Sequence, residues 1–132
     1  MRGRTVLYVE DNEYNRKIVR QLFSRTSYRL IEAIDGEAGV TLAREERPDL
    51  ILMDVQLPKM SGLEATRVLK ADARTSDIPV IVITSFALSG DREKAAEAGA
   101  ASYLAKPYSP RELLALVRQY LPEPDNPSGG DK

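Results

Sequence analysis

Leu50-Ile51-Leu52-Met53-Asp54 is the stretch on which the reading of the fold turns. An unbroken apolar run too short for a helix and closed by a carboxylate describes a strand covered on both faces. Such strands belong to parallel sheets with helices above and below. Val80-Ile81-Val82-Ile83, closed by Thr84 and Ser85, repeats the pattern. Further short runs stand at Thr5–Val9, Arg29–Ala33 and Ser102–Ala105, each separated from the next by a segment of helical period. The alternation predicts an α/β fold, a parallel sheet of five strands with helices on both faces, in which Leu50–Met53 and Val80–Ile83 are central.

The helical segments carry matching signals. Ile18, Val19, Leu22 and Phe23 share one stripe and Leu113, Leu116, Val117 and Tyr120 another, so both helices are expected to pack those faces inward. Ser109, Pro110 and Glu112 spell a capping box with proline at the first helical position. Other helices are expected to start at Asp35-Gly36, Ser61-Gly62 and Ser89-Gly90, where a capping side chain precedes a permissive residue. After Leu121 the text turns to proline, glycine and charge with nothing apolar to bury. One domain over 1–121 and a disordered tail over 122–132 are expected.

With 132 residues, 42% of them hydrophobic, the chain can build one core without cross-links. It has no cysteine, which removes disulfides and thiolate metal sites and suits a reducing, cytoplasmic setting. A net charge of −1 argues against a standing attraction to nucleic acid. The basic start Met1-Arg2-Gly3-Arg4 leads into an apolar run too brief for a signal segment or a membrane span. Histidine is absent, so any phosphohistidine chemistry has to be supplied by a partner.

Ligands of an open parallel sheet bind beyond the carboxyl ends of its strands, where the strand order reverses. Those ends are chemically loaded: Glu10-Asp11 after the first strand, Asp54 after the third, Thr84-Ser85 after the fourth, Lys106-Pro107 after the fifth. Any one of them reads equally as an ordinary polar strand end. Together, three converging carboxylates would raise one another's pKa and call for a cation, and hard oxygen ligands suit Mg²⁺. Lys106 adds a mobile point charge and Thr84 a hydroxyl donor, the groups a phosphoryl in transfer needs around its oxygens.

The motifs Val9-Glu10-Asp11-Asn12, Asp54 followed by Pro58, Met60 and Gly62, Ile83-Thr84-Ser85 and Ala105-Lys106-Pro107 resemble those of the receiver domain of bacterial two-component response regulators, over about Arg4 to Leu121. The resemblance implies a doubly wound sheet of flavodoxin-like order 2-1-3-4-5, which sets Asp11 beside Asp54. It implies that Asp54 is the phosphoacceptor, that Asp11, Asp54 and the backbone carbonyl of Gln56 bind Mg²⁺ with help from Glu10, and that Lys106 neutralises phosphoryl charge. A cis bond before Pro107 is implied as well. Thr84 and Tyr103 match the family's switch pair, although Tyr103 also reads as an ordinary strand aromatic. The partners implied are a sensor histidine kinase or histidine phosphotransfer protein and a downstream protein target. Neither nucleic acid nor membrane is implied, and the chain is expected to be a monomer or weak dimer.

Finer expectations attach to particular residues. Asp11-Asn12-Glu13-Tyr14-Asn15-Arg16 resembles the version of this loop in hybrid-kinase and stand-alone phosphorelay receivers, while Asn12 reads equally as a helix cap. Tyr14, Asn15 and Ile18 are expected to meet the donor protein. Gln56 and Phe86 flank the phosphoryl position and are expected to set its lifetime, the ring by excluding water and the amide by holding it. Tyr8 and Phe23 are read as packing residues. An aspartyl-phosphate phosphatase of the haloacid dehalogenase type wants a second carboxylate where Gln56 stands. A flavodoxin-type carrier would not place Glu10-Asp11 against a phosphate. A receiver cut from a hybrid histidine kinase stays open, whereas one acting only through contacts is disfavoured because every phosphorylation position is filled.

Overall fold

The computed structural model describes residues 4–85 and 91–122. The chain runs β1 (Thr5–Val9), α1 (Glu13–Phe23), β2 (Arg29–Ala33), α2 (Gly36–Glu46), β3 (Leu50–Asp54), α3 (Gly62–Ala71), β4 (Val80–Thr84), α4 (Asp91–Ala98), β5 (Ser102–Ala105) and α5 (Pro110–Tyr120). The sheet is parallel in the order β2-β1-β3-β4-β5. The order reverses between β1 and β3, so a crevice opens above their carboxyl ends.

Strand alternation divides the core into two layers. Val6, Tyr8, Leu50, Leu52, Ile81 and Ile83 pack with Val19 and Phe23 of α1 and Leu113 and Val117 of α5. Leu7, Val9, Ile51, Met53, Val80 and Val82 pack on the other face with Val40, Ala43, Ala65, Leu69 and Ala95 of α2, α3 and α4. Each large aliphatic buried in this way stabilises the fold by about 1.5–3 kcal/mol.

β1 is buried along its whole length, as are β3 and β4, so the interior strands number three. Thr5 and Tyr8 masked that in the sequence. In the first helical stripe Val19 and Phe23 are buried and Leu22 is half-buried, but Ile18 stays 42% exposed, so that face does not pack inward throughout. Helix starts follow their caps. Asp35 accepts from the Ala38 amide at 2.7 Å, Ser61 from Glu64 at 3.1 Å, and Ser109 and Glu112 close the capping box at 3.0 and 2.8 Å. Each such cap contributes about 1 kcal/mol. The start expected at Ser89-Gly90, Phe86 and the stretch 123–132 lie outside the described residues. No helix among the described residues is long and apolar enough to cross a membrane.

Candidate functional site

Glu10 follows β1, held in sheet register by its amide on the Ala33 carbonyl at 3.0 Å, and Asp54 ends β3. Both are buried, at 2% and 4% exposure. Lys106 comes down on them from the end of β5, its amide on the Thr84 carbonyl at 2.7 Å and its bond to Pro107 cis. Its ammonium donates to Asp54 Oδ2 at 2.9 Å and to Glu10 Oε1 at 3.3 Å. Backbone amides take the remaining carboxylate oxygens: Gln56 N–H donates to Asp54 Oδ1 at 3.0 Å and Asn12 N–H to Glu10 Oε2 at 3.2 Å. Arg16 donates to the Glu10 carbonyl at 2.9 Å and pairs with Glu13 and Glu32, pinning the loop to α1.

The charges do not balance, because two buried carboxylates share one ammonium. Burial, with Asp54 beside it, pushes the Glu10 carboxyl up to about 6 against the pull of Lys106. Burial also works against the Lys106 charge, yet the Asp54 and Glu10 carboxylates outweigh it and hold the ammonium above its ordinary range. A centre of this kind has an excess of negative oxygen that a further cation would offset. Mg²⁺ keeps most of its waters and needs only one or two carboxylates, so the donor set fits it.

The approach of α3 fixes the far side. Gly62 donates its amide to the Val55 carbonyl at 2.9 Å, and a Cβ at Gly62 would overlap the Asp54 carbonyl and its neighbours. Gly62→Ala is expected to cost about 1–3 kcal/mol through overpacking. Asp54 would be displaced with it. Chemical melts of the variant against the wild type check this.

Of the residues singled out from sequence, Glu10, Asp54 and Lys106 are in direct contact, and Thr84 is buried at the end of β4 opposite Ala105. Asp11 does not join the buried cluster. It lies past the end of β1, exposed, where water compensates a charge that the two buried carboxylates would repel. Among the described residues no three acidic side chains form a metal-holding group. The Gln56 side chain is exposed. Asn12 caps α1, accepting from the Asn15 amide at 2.9 Å. Tyr103 is half-buried on β5, with the Arg92 guanidinium 5.0 Å from its ring centroid. Tyr14 is 70% exposed beside Ile18. Sequence reasoning missed the hydroxyl of Tyr8, which donates to Glu10 Oε1 at 3.3 Å, and Tyr108, which packs against the same buried cluster. The available signal was position: Tyr8 stands two before Glu10 and Tyr108 two after Lys106.

Residues 6–118 match the response regulator receiver domain family. The polar-differentiation response regulator DivK of Brucella anthropi is 45% identical over 118 residues, 89% of this chain and 96% of that one. The receiver domain of a sensor histidine kinase from Pseudomonas aeruginosa PAO1, solved with a magnesium ion coordinated in its active-site cleft, is 37% identical, with a TM-score of 0.83 over 90% of this chain and 98% of that one. The chemotaxis protein CheY4 of Vibrio cholerae shares the fold at 25% identity and a TM-score of 0.84, over 89% of this chain and 98% of that one. A buried acidic pair under a lysine at the switch point of a 2-1-3-4-5 sheet and a family match across nearly all the described chain agree, and the chain belongs to the response regulator receiver domains of two-component signalling.

Proposed function

We propose that this chain accepts a phosphoryl group from a partner's phosphohistidine onto Asp54 in a Mg²⁺-dependent reaction, and that the acyl phosphate switches its contacts with other proteins. The observation that carries this reading is the Lys106 ammonium 2.9 Å from Asp54 Oδ2 over a second buried carboxylate. It aims a fixed positive charge at the place where phosphoryl oxygens would arrive. A carboxylate oxygen of Asp54 attacks phosphorus in line, the phosphorus–nitrogen bond breaks, and the donor imidazole leaves with the electron pair. Gln56 N–H keeps the Asp54 carboxylate oriented. Lys106 pairs with the phosphoryl oxygens, and the Thr84 hydroxyl donates to one of them.

Asp11, Asp54 and the Gln56 carbonyl would hold Mg²⁺, with Glu10 assisting, and the bound ion would supply positive charge to the phosphoryl oxygens. The kinase receiver from Pseudomonas, with magnesium in its active-site cleft, supports a magnesium requirement. Thr84 and Tyr103 act as the switch pair, with α4 and β5 as the output face. Gln56 and Phe86 set the lifetime of the phosphoryl group. The chain is thus a phosphoacceptor switch acting in the cytoplasm, not a turnover enzyme. Incubation with a phosphorylated kinase or phosphotransfer protein tests this directly. One phosphoryl group should transfer with Mg²⁺ present and none after chelation, and transfer that ignores chelation would refute the metal requirement.

The donor is expected to dock on α1. A groove of about 480 Å³ lies between α1 and α5, lined by Asn15, Ile18 and Leu22 on one side and Lys106, Pro107 and Tyr108 on the other. It reaches Lys106, whose ammonium contacts Asp54. Because Ile18 is 42% exposed, Ile18→Ala removes contact area for a partner without opening the core. Transfer from the kinase should slow about tenfold, as for an interface anchor, while labelling by acetyl phosphate stays as it was. Equal loss with both donors would contradict the docking assignment.

A further inference from the structure

Glu10 stands one residue past the last rung of β1, where Val9 pairs with Ala33 on one side and Met53 on the other. Its amide still reaches the Ala33 carbonyl, but the ladder has no further rung for its own carbonyl, and a buried carbonyl needs a donor. Arg16 supplies it. From the first turns of α1 its Nη1 donates to the Glu10 carbonyl oxygen at 2.9 Å. The side chain is only 12% exposed, and the rest of its fork is taken: Nη2 donates to Glu13 Oε1 at 3.1 Å and Nε pairs with Glu32 Oε1 at 3.4 Å. The end of β1, the first turn of α1 and β2 thus meet on one planar group, whose shape fixes the three contacts together. Arg20, one turn further along, grips the same Glu32 with two bonds at 2.7 and 2.8 Å and ties α1 to β2 by itself. Attachment of the helix does not need Arg16 as well.

The Glu10 carbonyl belongs to the peptide unit that precedes Asp11. The unit that follows Asp11 carries the Asn12 amide, which donates to Glu10 Oε2 at 3.2 Å. Both peptide planes flanking Asp11 are therefore held, so its backbone is fixed while its side chain stands exposed. We infer that Arg16 is a positioning residue for cation binding: by holding the Glu10 carbonyl it presets the backbone of Asp11, so that this carboxylate meets Mg²⁺ without first ordering the loop. Arg16 touches no reacting atom and acts through the Glu10–Asp11 peptide alone. Its charge would have the opposite effect. A guanidinium beside buried carboxylates repels an arriving cation, so removing it would tighten Mg²⁺ binding if charge were what mattered. Glu13 and Glu32 offset that charge, whereas fixing one residue's backbone is worth a factor of about ten. Order outweighs charge at this position.

The inference rests on the reading of Asp11 as a Mg²⁺ ligand, so one readout is free of metal. Arg16→Met deletes the fork and leaves no buried charge stranded, since Glu13 is 79% exposed and Glu32 keeps Arg20. Exchange of the Asn12 amide with water, followed by NMR in metal-free protein, should rise about tenfold, while the Asn15 amide on the Asn12 cap exchanges as in wild type. Titration of unphosphorylated protein with Mg²⁺ alone should give a dissociation constant about ten times higher. The Mg²⁺ concentration that half-saturates labelling by acetyl phosphate should rise by the same factor, and the rate at saturating Mg²⁺ should return to the wild-type value. Arg20→Met should change none of these. An unmoved Asn12 amide, or Mg²⁺ binding that is unchanged or tighter in folded Arg16→Met, would overturn the inference. Equal effects from Arg20→Met would overturn it too, because they would trace to attachment of the helix. Wild-type protein that bound no Mg²⁺ would overturn the metal reading and the cation role with it, while the Asn12 amide would still decide whether Arg16 holds the loop. Should Arg16→Met fold poorly, Arg16→Lys, which keeps the charge but not the planar fork, carries the same readouts.

Discussion

Asp54→Asn is expected to reduce Mg²⁺-dependent labelling to background while leaving the fold intact. The amide has nearly the shape of the carboxylate, and its oxygen can still accept from Gln56 N–H, so the loop after β3 keeps its anchor. A neutral amide lacks the nucleophilic oxygen that the carboxylate offers to phosphorus. The substitution also removes one of two carboxylates that share the Lys106 ammonium, leaving a balanced pair of Glu10 and Lys106. Thermal stability should therefore not fall. Labelling followed beside a thermal melt checks both halves, and lost labelling with a collapsed melt would leave a folding defect as the cause.

Lys106→Met is the second large effect. The thioether fills much of the lysine volume without its charge, so the phosphoryl oxygens lose a fixed cation. Removal of a single preorganised donor to developing negative charge in other sites costs a factor of about 10²–10³. The loss should appear with acetyl phosphate and with a kinase donor alike, which separates it from the docking effect at Ile18. Stability should acquire a pH dependence of defined sign. Glu10 titrates at 4.5 when unfolded and at about 6 in the folded protein, so its ionisation costs folding free energy as pH rises through that window. Lys106 opposes the rise, and without it the folded value climbs further. The variant should be close to wild type at the acid end of the window and fall progressively behind above it. Urea melts at several pH values measure this, and a pH-independent difference would contradict the electrostatic account.

The strands that decide the architecture were legible because burial on both faces leaves an unbroken apolar run, as in Leu50–Met53 and Val80–Ile83. Each was read one residue short. Asp54 and Thr84 are polar, yet they continue the ladder opposite Ile83 and Ala105, and only backbone pairing reveals that. β1 was not recognised as interior because Tyr8 looks half-exposed by type. The helix starts at Asp35, Ser61 and Ser109 were legible since a cap acts within one turn of chain. The same local logic located Glu10, Asp54 and Lys106 at strand ends, where topology brings them together. Asp11, one residue further on, lies exposed beyond β1, where local logic gives no contact for it. Nor could that logic find the Tyr8 hydroxyl on Glu10, which depends on where the ring of a buried strand residue reaches.

The central claim is that Asp54 carries the phosphoryl group. Reduction of the phosphorylated protein with borohydride converts an aspartyl phosphate to homoserine, and peptide mass spectrometry then reads the modified position. The account predicts homoserine at position 54 alone, formed only when Mg²⁺ was present during labelling. Homoserine at position 11, a label on serine, threonine or tyrosine, or modification at 54 that survives removal of Mg²⁺ would contradict it.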